Sequence, residues 1–132
     1  MKTINTIIKV ILSILLIMPI FGILGFFPEP TAEMYTNETA FQFIQILMAS
    51  KYIMYMEGII FAVVLFSIWT RREALAGLLL LPLTFNIVGF HAFLDGGPLT
   101  GGAIMGNVLL LINVYLVWAY RNQILPLLQK RS

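Results

Sequence analysis

Cysteine is absent from the 132-residue chain. Its absence excludes disulfides, thiolate metal ligands, cysteine-bound iron–sulfur clusters and thiol redox relays, so any redox role has to borrow a cofactor, a quinone or a partner subunit. Histidine occurs once, at position 91, which excludes a bis-histidine haem within one chain. Charge is also scarce: 11% of the residues are charged, where a soluble domain carries about a quarter. There is no nucleophile motif, phosphate-binding loop or carboxylate dyad, and acidic residues are too few to ring an ion channel. Internal repeats and low-complexity linkers are missing as well, so residues 1–132 read as a single domain.

What the chain has in quantity is apolar surface, with 60% hydrophobic residues and a mean hydropathy of +0.94. A hydrocarbon core about 30 Å thick takes about 20 helical residues to cross, so a chain of this length holds about four spans and no soluble domain. Nucleotide-binding, globular haem and DNA-binding modules are thereby excluded. The pattern predicts an all-α integral membrane protein, an up-and-down four-helix bundle with spans over about 4–27, 50–70, 74–94 and 102–120. An interfacial segment over about 40–49 precedes the second span, and Pro28 and Pro30 stop the first. The first run is too long for the apolar region of a signal peptide and no A-x-A-like site follows it, so it reads as a span. Only Arg71, Arg72 and Glu73 separate the second and third spans, which requires a tight hairpin. Asp95 to Gly101 is a Gly- and Pro-rich turn.

Lys2, Lys9, Arg71, Arg72, Arg121, Lys130 and Arg131 fall on one side of this arrangement and Lys51 alone on the other, with Glu29, Glu33, Glu38 and Asp95. The excess of positive charge on cytoplasmic loops predicts both termini in the cytoplasm of a bacterial-type inner membrane. Trp69, Trp118 and Tyr120 then mark the inner interface, and Phe26, Phe27, Tyr35 and Tyr52 the outer one. The basic residues record topology and contact with anionic lipid head groups rather than nucleic acid.

Polar residues inside spans are costly, by roughly 2.5 to 3.5 kcal/mol for an ionised group at mid-bilayer, and so invite a functional reading. Glu57 lies about 10 Å from the outer end of its span, Asn86 about 12 Å and Asn107 about 6 to 8 Å, while His91 and Asp95 close the third span. All fall in the outer half of the bilayer, where a bundle can bring them together. Two readings fit Glu57: a quinone-contacting or proton-handling carboxyl, or a packing residue paired with an Asn. Gly58 beside it lets another backbone approach. Asn86 and His91 are separated by about 140° around the helix, whereas His91 and Asp95, four apart, share a face. That Asp either fixes the tautomer of His91 or, with it, is simply hydrated at the interface. Asn86, one turn after Pro82, is suited to satisfying carbonyls freed by the proline, and Asn107 and Asn113 to interhelical hydrogen bonds. Gly102 and Gly106 form a GxxxG pair that allows close helix contact within the chain or between copies. A metal set of Glu57, His91 and Asp95 is not expected.

The segment YMEGIIFAVVLFSIWTRREALAGLLLLPL resembles the second and third spans of the DoxX-like membrane proteins: a Glu-Gly pair at Glu57-Gly58, a basic turn at Arg71-Arg72, then a small-residue-rich span over Ala74 to Pro82. NIVGFHAFLD, from Asn86, and VYLVWAYRNQ, from Val114, resemble the third and fourth spans of the same family. The resemblance implies an accessory or quinone-linked subunit of a membrane oxidoreductase, in which Glu57 is the family's acidic position and Asn86 and His91 its polar positions. Named members are tied to thiosulfate and quinone chemistry, and the absence of cysteine argues against this chain itself handling sulfur.

The expected function is therefore a quinone- or lipid-binding accessory subunit, with Glu57, Asn86, His91 and Asn107 as the binding residues among Phe85, Phe90, Phe93 and Tyr55. No intrinsic cofactor is expected beyond an isoprenoid quinone. The expected partners are the lipid bilayer, an oxidoreductase subunit and a second copy of the chain. The alternatives are a non-catalytic assembly subunit, whose polar residues only fix helix register, and a small oligomeric transporter.

Overall fold

The computed structural model describes residues 2–130, in which every regular element is helical. The long helices are α1 (Lys2–Ile23), α2 (Glu38–Ser50), α3 (Tyr52–Trp69), α4 (Glu73–Phe93) and α5 (Ala103–Ala119); α6 (Arg121–Ile124) and a 3-10 turn over Leu125–Leu128 follow. Three of them, α1, α3 and α4, are long and apolar enough to cross a membrane, and α5 with its continuation makes a fourth if the bent pair is one span. Arg131, one of the basic residues used to orient the chain, lies outside the described residues.

Each of these helices presents a narrow buried stripe and a wide apolar exterior. On α1, Leu12 and Leu16 are fully buried while Ile7, Ile14 and Met18 are half or more exposed. On α3, Phe61, Val64 and Ile68 point inward at three- and four-residue steps while Met56, Ile59 and Phe66 point outward. Such an exterior is costly in water and favourable in lipid, so the membrane completes the burial that the chain leaves undone. The inward stripes meet in one core built from Leu12, Leu16, Phe61, Val64, Ile68, Leu80, Leu109 and Leu116. α1 packs on α3 and α5, and α4 on α3 and α5. Neighbours run antiparallel: Ser13 in the middle of α1 accepts from Trp69 Nε1 at the end of α3 (3.0 Å), and Ile23 at the C-terminal end of α1 covers Gly58 in the first half of α3.

The helix ends have identifiable causes. α1 stops at Ile23, earlier than the expected position 27, because Gly25 takes a left-handed φ of 83°. Its N–H bonds Gly22 O and that of Phe26 bonds Phe21 O, which closes the helix before Pro28 is reached. The rings of Phe21 and Phe26 meet edge-on at 5.5 Å across this closure. α2 begins where Asn37 accepts the N–H of Ala40 (2.9 Å), and it breaks from α3 at Lys51, at φ 59°. The short α3–α4 hairpin is as expected, with Arg71 in the left-handed region at φ 61°. After α5 the chain bends by 66° and buries Ile124 against the rest, so residues 121–128 form a further helical segment.

Between α4 and α5 the core is polar at one point. Pro82 lacks the N–H that would bond Leu78 O, and one turn around it Asn113 of α5 bridges the helices. Its Nδ2 donates to Gly77 O (2.8 Å) and its Oδ1 accepts from Thr84 Oγ1 (2.8 Å). The residue expected to serve the proline region, Asn86, is exposed and makes no hydrogen bond among the described residues, and Asn113 bonds the carbonyl of Gly77, one residue before the Leu78 carbonyl that Pro82 leaves free. Asn113→Ala removes two interhelical hydrogen bonds, averaging about 0.6 kcal/mol each, so reversible unfolding in mixed micelles is expected to show a loss of about 1 to 2 kcal/mol. Unchanged stability would mean that the bridge contributes nothing.

Candidate functional site

Glu57 faces a cavity of about 210 Å³ to which all four long spans contribute. Leu15, Met18 and Pro19 wall it from α1, and Phe61 lies one turn beyond Glu57 on α3. Ile87 of α4 and Met105, Gly106 and Leu109 of α5 complete it. The lining is apolar apart from the carboxyl, which has no hydrogen-bond partner among the described residues. Gly58, expected to admit a backbone, admits a side chain: a Cβ there would lie 3.2 Å from the terminal methyl of Ile23. Gly106 has a similar role opposite, since an added Cβ would lie 2.8 Å from an Ile87 methyl group.

A second polar group closes the C-terminal end of α4. His91 Nδ1 donates to Asp95 Oδ2 (2.9 Å), which leaves Nε2 as the free ring nitrogen in the neutral form. The expected shared face is thus occupied by a real pair, and the ring packs beside Gly102, whose Cβ would meet His91 Cε1 at 3.2 Å. Asp95 is 2% exposed, and its other oxygen accepts both the backbone N–H and the hydroxyl of Thr36 (2.8 and 3.0 Å). Burial pushes the Asp95 carboxyl up, but these donors and His91 outweigh it and hold it below the ordinary aspartate value. Tyr35, beside it, is pushed above the ordinary tyrosine range by burial and then by the negative charge of Asp95.

Through these contacts Asp95 fastens the segment before α2 onto α4. Asn37 Nδ2 donates to Leu94 O (2.6 Å), and Gly96, at φ 81°, has no room for a Cβ because Thr36 Oγ1 would lie 2.7 Å away. The ring of Phe90 is stacked on Phe43 at 5.7 Å and meets Tyr35 edge-on at 6.2 Å. A strip of rings therefore seals the joint between α2 and α4.

The structure does not bring the four expected binding residues together. Glu57 is in the cavity and His91 is held by Asp95, with no hydrogen bond between them. Asn107 Nδ2 donates to Pro98 O (2.6 Å) and ties down the turn before α5. Asn86 points away because Ile87 and His91, on the other side of α4, are the residues facing α5. Of the expected aromatic lining, Tyr55, Phe85 and Phe93 are outside, 52, 60 and 89% exposed, and Phe90 packs on Phe43 and Tyr35 instead. Among the described residues no three His, Cys, Asp or Glu gather as a metal set would. Thr36 and Asn37 escaped sequence reasoning; Asn37 ahead of an apolar run is a capping signal, but nothing local relates it to Leu94, 57 residues on, or Thr36 to Asp95, 59 residues on.

At the opposite end Lys9 forms an ion pair with Glu73, both largely buried, and Ser13 Oγ donates to Lys9 O while accepting from Trp69. Lys9 is thus a packing partner of α4 as well as a topological marker.

Asp95→Ala removes three hydrogen bonds to a charged group, so the amides of α2 are expected to exchange faster by about thirtyfold, or about 2 kcal/mol in opening free energy. A rate within about twofold of wild type would refute the fastening. Because the carboxyl titrates below the 3.8 of a free aspartate, its contribution is whole above that value and is lost as pH falls through the lowered one. In the wild type, opening free energies are accordingly expected to stay level from about pH 6 to 5 and fall only in stronger acid. No family model, curated protein or solved structure matches the chain.

Proposed function

We propose that this chain is a DoxX-like multi-pass protein of a bacterial-type inner membrane, an up-and-down four-helix bundle with cytoplasmic termini, that binds the ring of an isoprenoid quinone beside Glu57 for a partner oxidoreductase. The observation that carries the reading is a single carboxyl without a protein partner in an otherwise apolar cavity within the membrane-spanning part. A site of that kind suits a flat apolar ring bearing a hydrogen-bonding oxygen, with the protein supplying one convergent polar group. Its volume of about 210 Å³ exceeds the roughly 150 Å³ in which an apolar protein cavity accommodates benzene. The isoprenoid tail then lies among the exposed aliphatic side chains and the acyl chains. Such a ring supplies two-electron redox chemistry when bound; Glu57 orients it by donating its acid proton to a ring oxygen.

The second reading, an assembly subunit without ligand, draws on the other polar residues. His91, Asp95, Asn107 and Asn113 all spend their hydrogen bonds within the chain, fixing register and joints.

Glu57→Met keeps the volume of the side chain and removes its hydrogen bond, worth about 0.5 to 1.5 kcal/mol. Titration of a short-tailed quinone into purified protein is expected to show binding weakened by about three- to tenfold in this variant, with Glu57→Gln, which keeps a donor, closer to wild type. Equal affinity for wild type and Glu57→Met favours the assembly reading. The orientation is tested independently, because a chain without cysteine accepts single reporters. In intact spheroplasts a membrane-impermeant maleimide is expected to label Glu29→Cys and not Gln129→Cys; the reverse pattern overturns the assignment.

A further inference from the structure

A groove of about 290 Å³ lies at the end of the molecule opposite Asp95, between the α3–α4 hairpin and the bent segment after α5. Arg71, Arg72 and Gln123 line one part of it, and Leu75, Leu78 and Leu127 another. The two arginines are exposed. Arg72 Nη1 donates to Thr70 Oγ1 (3.0 Å) and its guanidinium lies 5.8 Å from the centre of the Phe66 ring, which leaves further N–H donors free. Arg71 has no hydrogen-bond partner among the described residues and occupies a left-handed position, φ 61°, that glycine or asparagine adopts at less cost. The acid beside them, Glu73, is turned inward to Lys9 and does not line the groove. The polar part thus carries two positive charges and an amide with no compensating carboxylate.

The apolar part indicates where an anion would come from. Leu75 is 44% and Leu127 71% exposed, and Leu125 and Leu128 continue this surface along the bent segment. Trp69 and Trp118, more than half exposed at the same end, have the character of interfacial anchors. Guanidinium groups above exposed leucines at the end of a span match a phosphate carrying acyl chains, whereas a free phosphate has no use for the leucines.

We infer that this groove is a binding site for an anionic phospholipid, with Arg71 and Arg72 pairing with the phosphate oxygens, Gln123 donating to the headgroup, and an acyl chain lying along Leu75, Leu78 and Leu127. The site is separate from Glu57 and independent of the quinone reading. It places a lipid between the α3–α4 hairpin and the C-terminal segment, where it would hold the two together.

Native mass spectrometry of the full chain, titrated with dioleoylphosphatidylglycerol or dioleoylphosphatidylcholine, tests it. One phosphatidylglycerol is expected to bind in preference to phosphatidylcholine, and Arg71→Asn/Arg72→Gln to weaken it about thirtyfold, each arginine contributing about fivefold. Arg121→Gln/Lys130→Gln, equal in charge change but outside the groove, is expected to leave binding within about twofold of wild type. If the first double variant loses its helical circular dichroism, Arg71→Asn alone carries the test and is expected to lose about fivefold. Equal losses in the two double variants would show diffuse surface charge and overturn the site, as would equal binding of the two lipids. Glycerophosphoglycerol, the headgroup without chains, is expected to bind at least about tenfold more weakly than the lipid; equal binding would make this a free-phosphate site and overturn the assignment of the leucines.

Discussion

Where α4 meets α5, the two backbones come close enough that a Cβ on Gly77 would lie 3.5 Å from the backbone nitrogen of Val117, and one on Gly106 would strike Ile87. In lipid, with no hydrophobic force between helices, such approaches are made by small residues and held by dispersion and a few hydrogen bonds. Several of the polar features lie along this seam or at its ends. Asn113 and Thr84 bridge it near the middle, Ile87 and Gly106 form one wall of the Glu57 cavity, and His91 lies in the space left by Gly102. Beyond the end of the seam at Gly102, Asp95 fastens the segment before α2, and beyond the opposite end the bent segment approaches the hairpin arginines.

The polar side chains within this frame divide by whether the chain satisfies them. Asn113, Thr84, His91 and Asp95 are each matched to partners inside the chain, as burial in a medium of low dielectric requires. Among the described residues no fully buried side-chain nitrogen or oxygen is left without a partner. Glu57 stands apart from this pattern: half-buried, at the edge of a cavity, with its carboxyl free of the protein. A group so placed costs stability unless something outside the chain completes it, which is why the proposed function rests on this residue and not on the better-connected histidine.

The helices were legible in the sequence because hydropathy and the Arg71-Arg72 turn are local signals. A separate helix ahead of the second span was legible too, and α2 occupies that stretch. Boundaries moved where a glycine acted before a proline, as at Gly25, and the burial of Ile124 left no local signal because it depends on the rest of the fold. The face argument correctly joined His91 to Asp95 and separated Asn86 from both, since four-residue spacing is a property of the helix alone. Depth in the membrane was a poorer guide. Glu57, Asn86 and Asn107 were all expected in the outer half of the bilayer, yet rotation about each helix axis sends them to a cavity, to the exterior and to the Pro98 turn. Contacts such as Thr36–Asp95 and Lys9–Glu73 link residues 59 and 64 positions apart and leave no local trace.

The central claim is that the cavity beside Glu57 receives a quinone ring, and photoaffinity labelling addresses it by location. A quinone carrying a photoreactive group on its ring, irradiated with the protein in native-like membranes and mapped by peptide mass spectrometry, should modify Met18, Met105 or their immediate neighbours in the cavity wall. Labelling at these positions that an excess of unmodified quinone suppresses is the predicted result. Labelling confined to the exposed aromatic exterior, at Phe85 or Phe93, or spread evenly over the lipid-facing surface, would contradict the account.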